Sequence, residues 1–83
     1  MPFPPMKAPA GLHMSRPDGK PLPSAGGTEG VLMYGAFGDC AFLLNLLDGA
    51  VEGDEFWIET TTGSVSAAEV RAGISIGEIT RVN

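Results

Sequence analysis

At 83 residues the chain is short for more than one domain, and its formal charge of −5 sets an acidic balance that repels phosphate backbones and argues against nucleic acid as a partner. One cysteine, Cys40, closes no internal disulfide, and one histidine beside it falls short of the four N/S ligands of a structural zinc site. The most apolar stretch, residues 31–47, is broken by Asp39, Asn45 and two glycines and is too short to favour a membrane span. Residues 1–10 lack the continuous apolar run of a secretory signal, so the reading is a soluble protein with no cofactor and no membrane partner.

All 7 prolines fall within residues 1–23: Pro2, Pro4, Pro5, Pro9, Pro17, Pro21 and Pro23. Proline fixes φ and removes a backbone donor, which argues against a helix or a central strand there. The chain therefore divides into an extended arm, residues 1–30, and a compact acidic β domain, residues 31–83. The arm holds Lys7, Arg16 and Lys20 against Asp18 and Glu29, for +1, and the body carries −6. So small a body is marginal alone, so assembly with copies of itself or with a partner is the expected stabiliser.

In chain order, residues 1–10 read as polyproline II or irregular extended chain. Phe3, Pro4, Pro5 and Met6 are candidates to dock on a neighbour, with a disordered terminus as the alternative. Arg16-Pro17-Asp18-Gly19 has the form of a tight turn. Leu12 and Met14 before it and Leu22 after it suggest a short hairpin or ladder, and Leu12 and Met14 join the arm's partner-binding set. Gly26-Gly27-Thr28-Glu29-Gly30 reads as a flexible joint.

From Val31 the chain becomes β-like to Phe37, with a turn at Gly38-Asp39. Residues 40–47 are a nearly continuous apolar run that fits either a buried strand or two turns of buried helix, since periodicity is silent there. Residues 55–62 alternate cleanly, with Phe56, Ile58 and Thr60 on one face and Trp57, Glu59 and Thr61 on the other. Gly63-Ser64 is predicted as a hairpin turn, and Ser66-Ala67-Ala68-Glu69 has capping-box spacing for a single helical turn. Residues 74–82 close the chain as a strand, with a bulge at Gly77 keeping Ile74, Ile76 and Ile79 on the core side. Short strands between glycine turns predict an all-β fold, a small β-barrel or β-tulip-like domain.

No catalytic constellation emerges. Cys40 heads the most apolar run and reads as a buried, inert thiol, and His13 as an exposed arm residue. Gly26-Gly27-Thr28-Glu29-Gly30 lacks the lysine of a phosphate loop, and Gly35-Ala36-Phe37-Gly38 has no basic neighbour. Asp48, Glu52, Asp54 and Glu55 cluster without the spacing of a calcium loop, as a solvated acidic turn would. Tyr34 and Trp57 are the candidate contacts of the body. Alternation sets Trp57 opposite Phe56 and Ile58, as an interface residue or as part of a second core face.

The run Val51-Glu52-Gly53-Asp54-Glu55-Phe56-Trp57-Ile58-Glu59-Thr60, then Thr62-Gly63-Ser64-Val65, then Ala72-Gly73-Ile74-Ser75-Ile76-Gly77-Glu78-Ile79, resembles that of small β-rich bacteriophage head decoration (capsid cement) proteins. The resemblance implies a non-enzymatic virion protein that binds the major capsid protein at the capsid surface. It also implies a homo-oligomer, commonly a trimer, whose arms run over neighbouring subunits. Lys7-Ala8-Pro9-Ala10-Gly11-Leu12 with Pro21-Leu22-Pro23 and Gly26 is similar to a short family encoded near contractile-tail genes, which implies a tail or baseplate accessory instead. A soluble SH3-like binding module, with a peptide lying on Tyr34 and Trp57, is the third expectation.

Overall fold

The computed structural model describes residues 3–17 and 21–82. Its elements are β1 (Pro9–Ser15), β2 (Ser24–Ala25), β3 (Thr28–Glu29), β4 (Val31–Ala36), α1 (Phe37–Leu47), β5 (Glu55–Thr60), β6 (Gly63–Ser66) and α2 (Ala67–Ser75). Four strands form an antiparallel sheet in the order β4-β1-β5-β6, and β2 pairs with β3 in a separate ribbon. α1 lies across β4, β1 and β5, and α2 across β5 and β6. Between helices and sheet sits one core that includes Leu12, Met14, Phe37, Leu44, Ile58, Val70 and Ile79.

The expected all-β barrel or tulip is corrected by this architecture, a mixed α/β fold with an open sheet. Residues 40–47 are helical, within α1. A strand there was equally compatible with the sequence because Phe, Leu, Ala and Cys occupy nearly every side of this helix, which erases the 3.6-residue signal. The expected turn at Gly38-Asp39 is the first turn of that helix.

The capping box at Ser66 and Glu69 is present, but it starts a helix of 9 residues rather than one turn. Gly77, at φ 80°, then ends α2: its N–H donates to the Ile74 carbonyl at 3.1 Å and Glu78 N–H donates to the Gly73 carbonyl at 2.9 Å. That pattern is a Schellman stop, so the glycine expected to bulge a closing strand closes a helix instead. Beyond it Ile79 drops into the core at 1% exposure, while Ile76 stays in solvent.

The arm is the second correction. Its segment Pro9–Ser15 is one of the two inner strands of the sheet, paired with β4 on one side and β5 on the other. Pro9 stands at the first position of the strand, where the missing donor is tolerated, and the rest of β1 is proline-free. Leu12 and Met14 are 0% and 3% exposed, and burying each contributes about 1.5–3 kcal/mol.

The residues before β1 are also built in. The N-cap Ala36 offers no side-chain cap to α1. Two of the helix's orphan donors are met instead by the arm, Phe37 N–H donating to the Ala8 carbonyl at 2.8 Å and Gly38 N–H to the Met6 carbonyl at 2.9 Å. A Cβ at Gly38 would overlap the Thr80 carbonyl oxygen, so the glycine lets the C-terminal segment lie against the same turn. There Val82 N–H donates to Asp39 Oδ1 at 2.9 Å and Thr80 N–H to Met6 Sδ at 3.3 Å.

The joint expected around Gly26-Gly27 is the two-residue turn of the β2–β3 ribbon, with φ of 58° and 82° at the two glycines, as a type I′ turn demands. The β5–β6 hairpin turns at Thr61-Thr62, two residues earlier than Gly63-Ser64, because Gly63 already pairs with Thr60. The turn expected at Arg16-Pro17-Asp18-Gly19 lies partly outside the described residues.

Candidate functional site

Among the described residues, two surfaces stand out once the core is assigned. The first is the outer face of the sheet, opposite the helices. Even-numbered residues of β1 point to the core, so Gly11 and His13 point outward. Gly11 pairs with Tyr34 on β4 and Glu59 on β5, and His13 pairs with Trp57. The register therefore gathers Tyr34, His13, Trp57 and Glu59 on one face from three strands.

Their arrangement is fixed by contacts. The His13 and Trp57 rings stack, with centroids 5.8 Å apart and 24° between planes. Trp57 Nε1–H donates to Glu59 Oε2 at 2.8 Å, and Ser64 Oγ–H donates to Glu59 Oε1 at 2.8 Å. A Cβ on Gly11 would come within 3.2 Å of Tyr34 Cε1 and 3.3 Å of His13 Nε2, so both rings lean over this glycine. The opposite edge of Tyr34 approaches Gly26, at 3.1 Å from the Cβ that residue would carry, and the tyrosine is 55% exposed. A shallow depression of about 630 Å³ lies here, with Lys7 and Thr61 at its rim.

The second surface is the outer side of α1. Leu46 is 76% exposed, and Phe42 and Leu43 are only partly buried, although the inner residues Phe37, Cys40, Ala41 and Leu44 already fill the core. Asp39, Phe42, Leu43, Leu46 and Arg81 border a groove of about 290 Å³, and the Arg81 guanidinium stands 6.0 Å from the Phe42 ring centroid. A surface helix ordinarily shows one apolar stripe, whereas this one is apolar toward the sheet and away from it.

The residues singled out in the sequence separate accordingly. Tyr34 and Trp57 share the outer sheet face, on either side of β1. Leu12 and Met14 serve the protein's own core and leave the partner-binding set. Phe3 stacks on Phe37 with centroids 6.2 Å apart, Met6 packs against the core, and the Pro5 carbonyl accepts from Ala8 N–H at 2.9 Å. Pro4 is half-buried and Pro5 exposed.

His13 is the site residue that sequence reasoning missed, while alternation set Glu59 beside Trp57 without making it a site residue. The parity of Ala10, Leu12 and Met14 carried the signal for His13, but it was hidden by treating the segment as an arm.

Nucleophile and base are kept apart. Cys40 Sγ–H points to the Ala10 carbonyl at 3.8 Å on the helix side of the sheet, while His13 lies on the other side. Burial, and then the charge of Asp39, push the Cys40 thiol above its ordinary 9.0, only partly offset by a backbone hydrogen bond at Gly35. The acidic turn disperses: Asp48 pairs with Arg71 at 2.8 Å and Asp54 with Arg16 at 3.4 Å. Among the described residues no three His, Cys, Asp or Glu gather as metal ligands, and no helix is long and apolar enough to cross a membrane. No family model, curated protein or solved structure matches the chain.

Proposed function

We propose that the protein is a non-enzymatic assembly subunit of a larger particle and that it packs against further copies of itself through the outer face of α1. The bacteriophage capsid shell is the particle suggested by the resemblance of residues 51–79. The observation that carries the reading is Leu46, 76% exposed on α1, beside Phe42 and Leu43, which pack against the core yet stay partly exposed. An apolar patch rimmed by charges is the usual character of a protein contact. Arg81 and Asp39 give the patch a charged border, with Asp39 Oδ1 accepting from Val82 N–H.

The test is light scattering on the full chain and on Leu46→Asp, with copy counting by mass spectrometry on purified particles. The wild-type chain is expected to form oligomers and to occur in numbers near those of the shell subunit. Leu46→Asp should be monomeric, and at a dilution where the wild type is also monomeric it should unfold within about 0.5 kcal/mol of it, because the site is exposed. A small count in multiples of three or six moves the protein to a tail or baseplate. A wild-type monomer absent from every particle ends the assembly reading.

A further inference from the structure

We propose that the outer face of the four-stranded sheet is a binding site for a neutral oligosaccharide, with Tyr34, His13 and Trp57 as the platform and Lys7 and Glu59 as the polar rim. This face is opposite α1 and stands independently of the assembly contact.

Three observations carry the inference. The first is shape. A Cβ on Gly11 would crowd the Tyr34 and His13 rings, so this glycine lets them lean over β1, and Trp57 stacks on His13 at 5.8 Å. The Tyr34 and His13 rings thus cover β1, with Trp57 beside them. A pyranose ring has C–H groups on its flat faces and hydroxyls around its edge. Its faces suit the electron-rich faces of aromatic rings, and its edge suits a polar rim.

The second is rigidity. Both Glu59 oxygens are already held, by Trp57 Nε1–H and by Ser64 Oγ–H, each at 2.8 Å. The carboxylate is therefore fixed before any ligand arrives, and each oxygen retains a lone pair for a sugar hydroxyl. Trp57 is fixed by the same bond. A pre-set platform saves the ordering cost that would otherwise weaken binding to so open a surface.

The third is charge. The depression has one cation, Lys7, and one carboxylate, Glu59, and its volume of about 630 Å³ falls in the range of small-molecule sites. Single-stranded nucleic acid also stacks on aromatic platforms, but it requires a basic groove, and this chain has a net charge of −5. Proline-rich peptides dock in grooves between aromatic walls. Rings laid across a glycine provide no such groove.

Trp57 is the chain's single tryptophan and stacks on His13, so its fluorescence responds to binding beside that ring. The experiment is a fluorescence titration of the full chain with malto-, cello-, manno- and chito-oligosaccharides, oligothymidylate and a polyproline peptide. Amide-shift mapping by NMR locates the contact. At least one of the four sugars should saturate at millimolar concentration or below, with shifts centred on residues 11, 13, 34, 57 and 59. Tyr34→Ala, a change at an exposed position, and Glu59→Gln should each weaken that sugar by about tenfold. Four results overturn the proposal: no sugar saturating, shifts centred elsewhere, unchanged affinity in Tyr34→Ala, or saturation only by the nucleotide or the peptide.

Discussion

Cys40 lies at 0% exposure with its thiol turned toward the Ala10 carbonyl, and the pH dependence of stability follows from that placement. Its folded pKa is raised, chiefly by burial and then by the Asp39 charge, so the folded state holds the proton more tightly than the unfolded chain does. The associated stability is fully present below the ordinary value of 9.0 and is lost as pH rises through the higher folded value. Urea midpoints measured across that interval should fall with pH, and Cys40→Ala should flatten the slope. An equal slope in both proteins would refute the assignment. At the same scale, the alternation of residues 55–62 sets Trp57 and Glu59 on one face, opposite Phe56 and Ile58, which the sequence alone shows. His13 and Tyr34 could not be joined to them, since they arrive from strands far apart in the chain.

Elements were legible where local chemistry decided them and illegible where packing did. The alternation of Phe56, Ile58 and Thr60 marked β5, and Ser66 with Glu69 marked the start of α2. The Ser66 hydroxyl accepts from Glu69 N–H at 3.2 Å while Ser66 N–H donates to Glu69 Oε1 at 3.2 Å. Ser66→Ala is therefore expected to cost about 1 kcal/mol, read as a fall of about 4–8 °C in Tm. An unchanged Tm would mean that tertiary contacts alone hold the helix end. The far end of α2 was misread because a glycine at positive φ stops a helix as readily as it kinks a strand, and sequence does not say which. α1 hid for a different reason: Phe42, Leu43 and Leu46 stand where the helical pattern would have shown polar residues.

At the scale of the whole molecule, the proline-rich segment changes meaning. Counting prolines predicted an appendage, but what matters is where they stand, and among the described residues only Pro9 enters a strand, at its first residue. Deleting residues 1–23 removes β1, the Leu12 and Met14 contribution to the core, and the Met6 and Ala8 carbonyls that cap α1. The truncated chain should show no cooperative melt by circular dichroism and little dispersion in its amide spectrum. A cooperative melt would show that residues 24–83 fold without β1. Position in the sheet also sets the order in which this protein can be made. β1 leaves the ribosome ahead of both strands it pairs with, and Thr60, which pairs with Ala10, follows well after β4. Until then β1 can find only β4, and one edge of an apolar strand waits open. The native sheet is thus completed only by a long-range pairing of the kind that folds slowly.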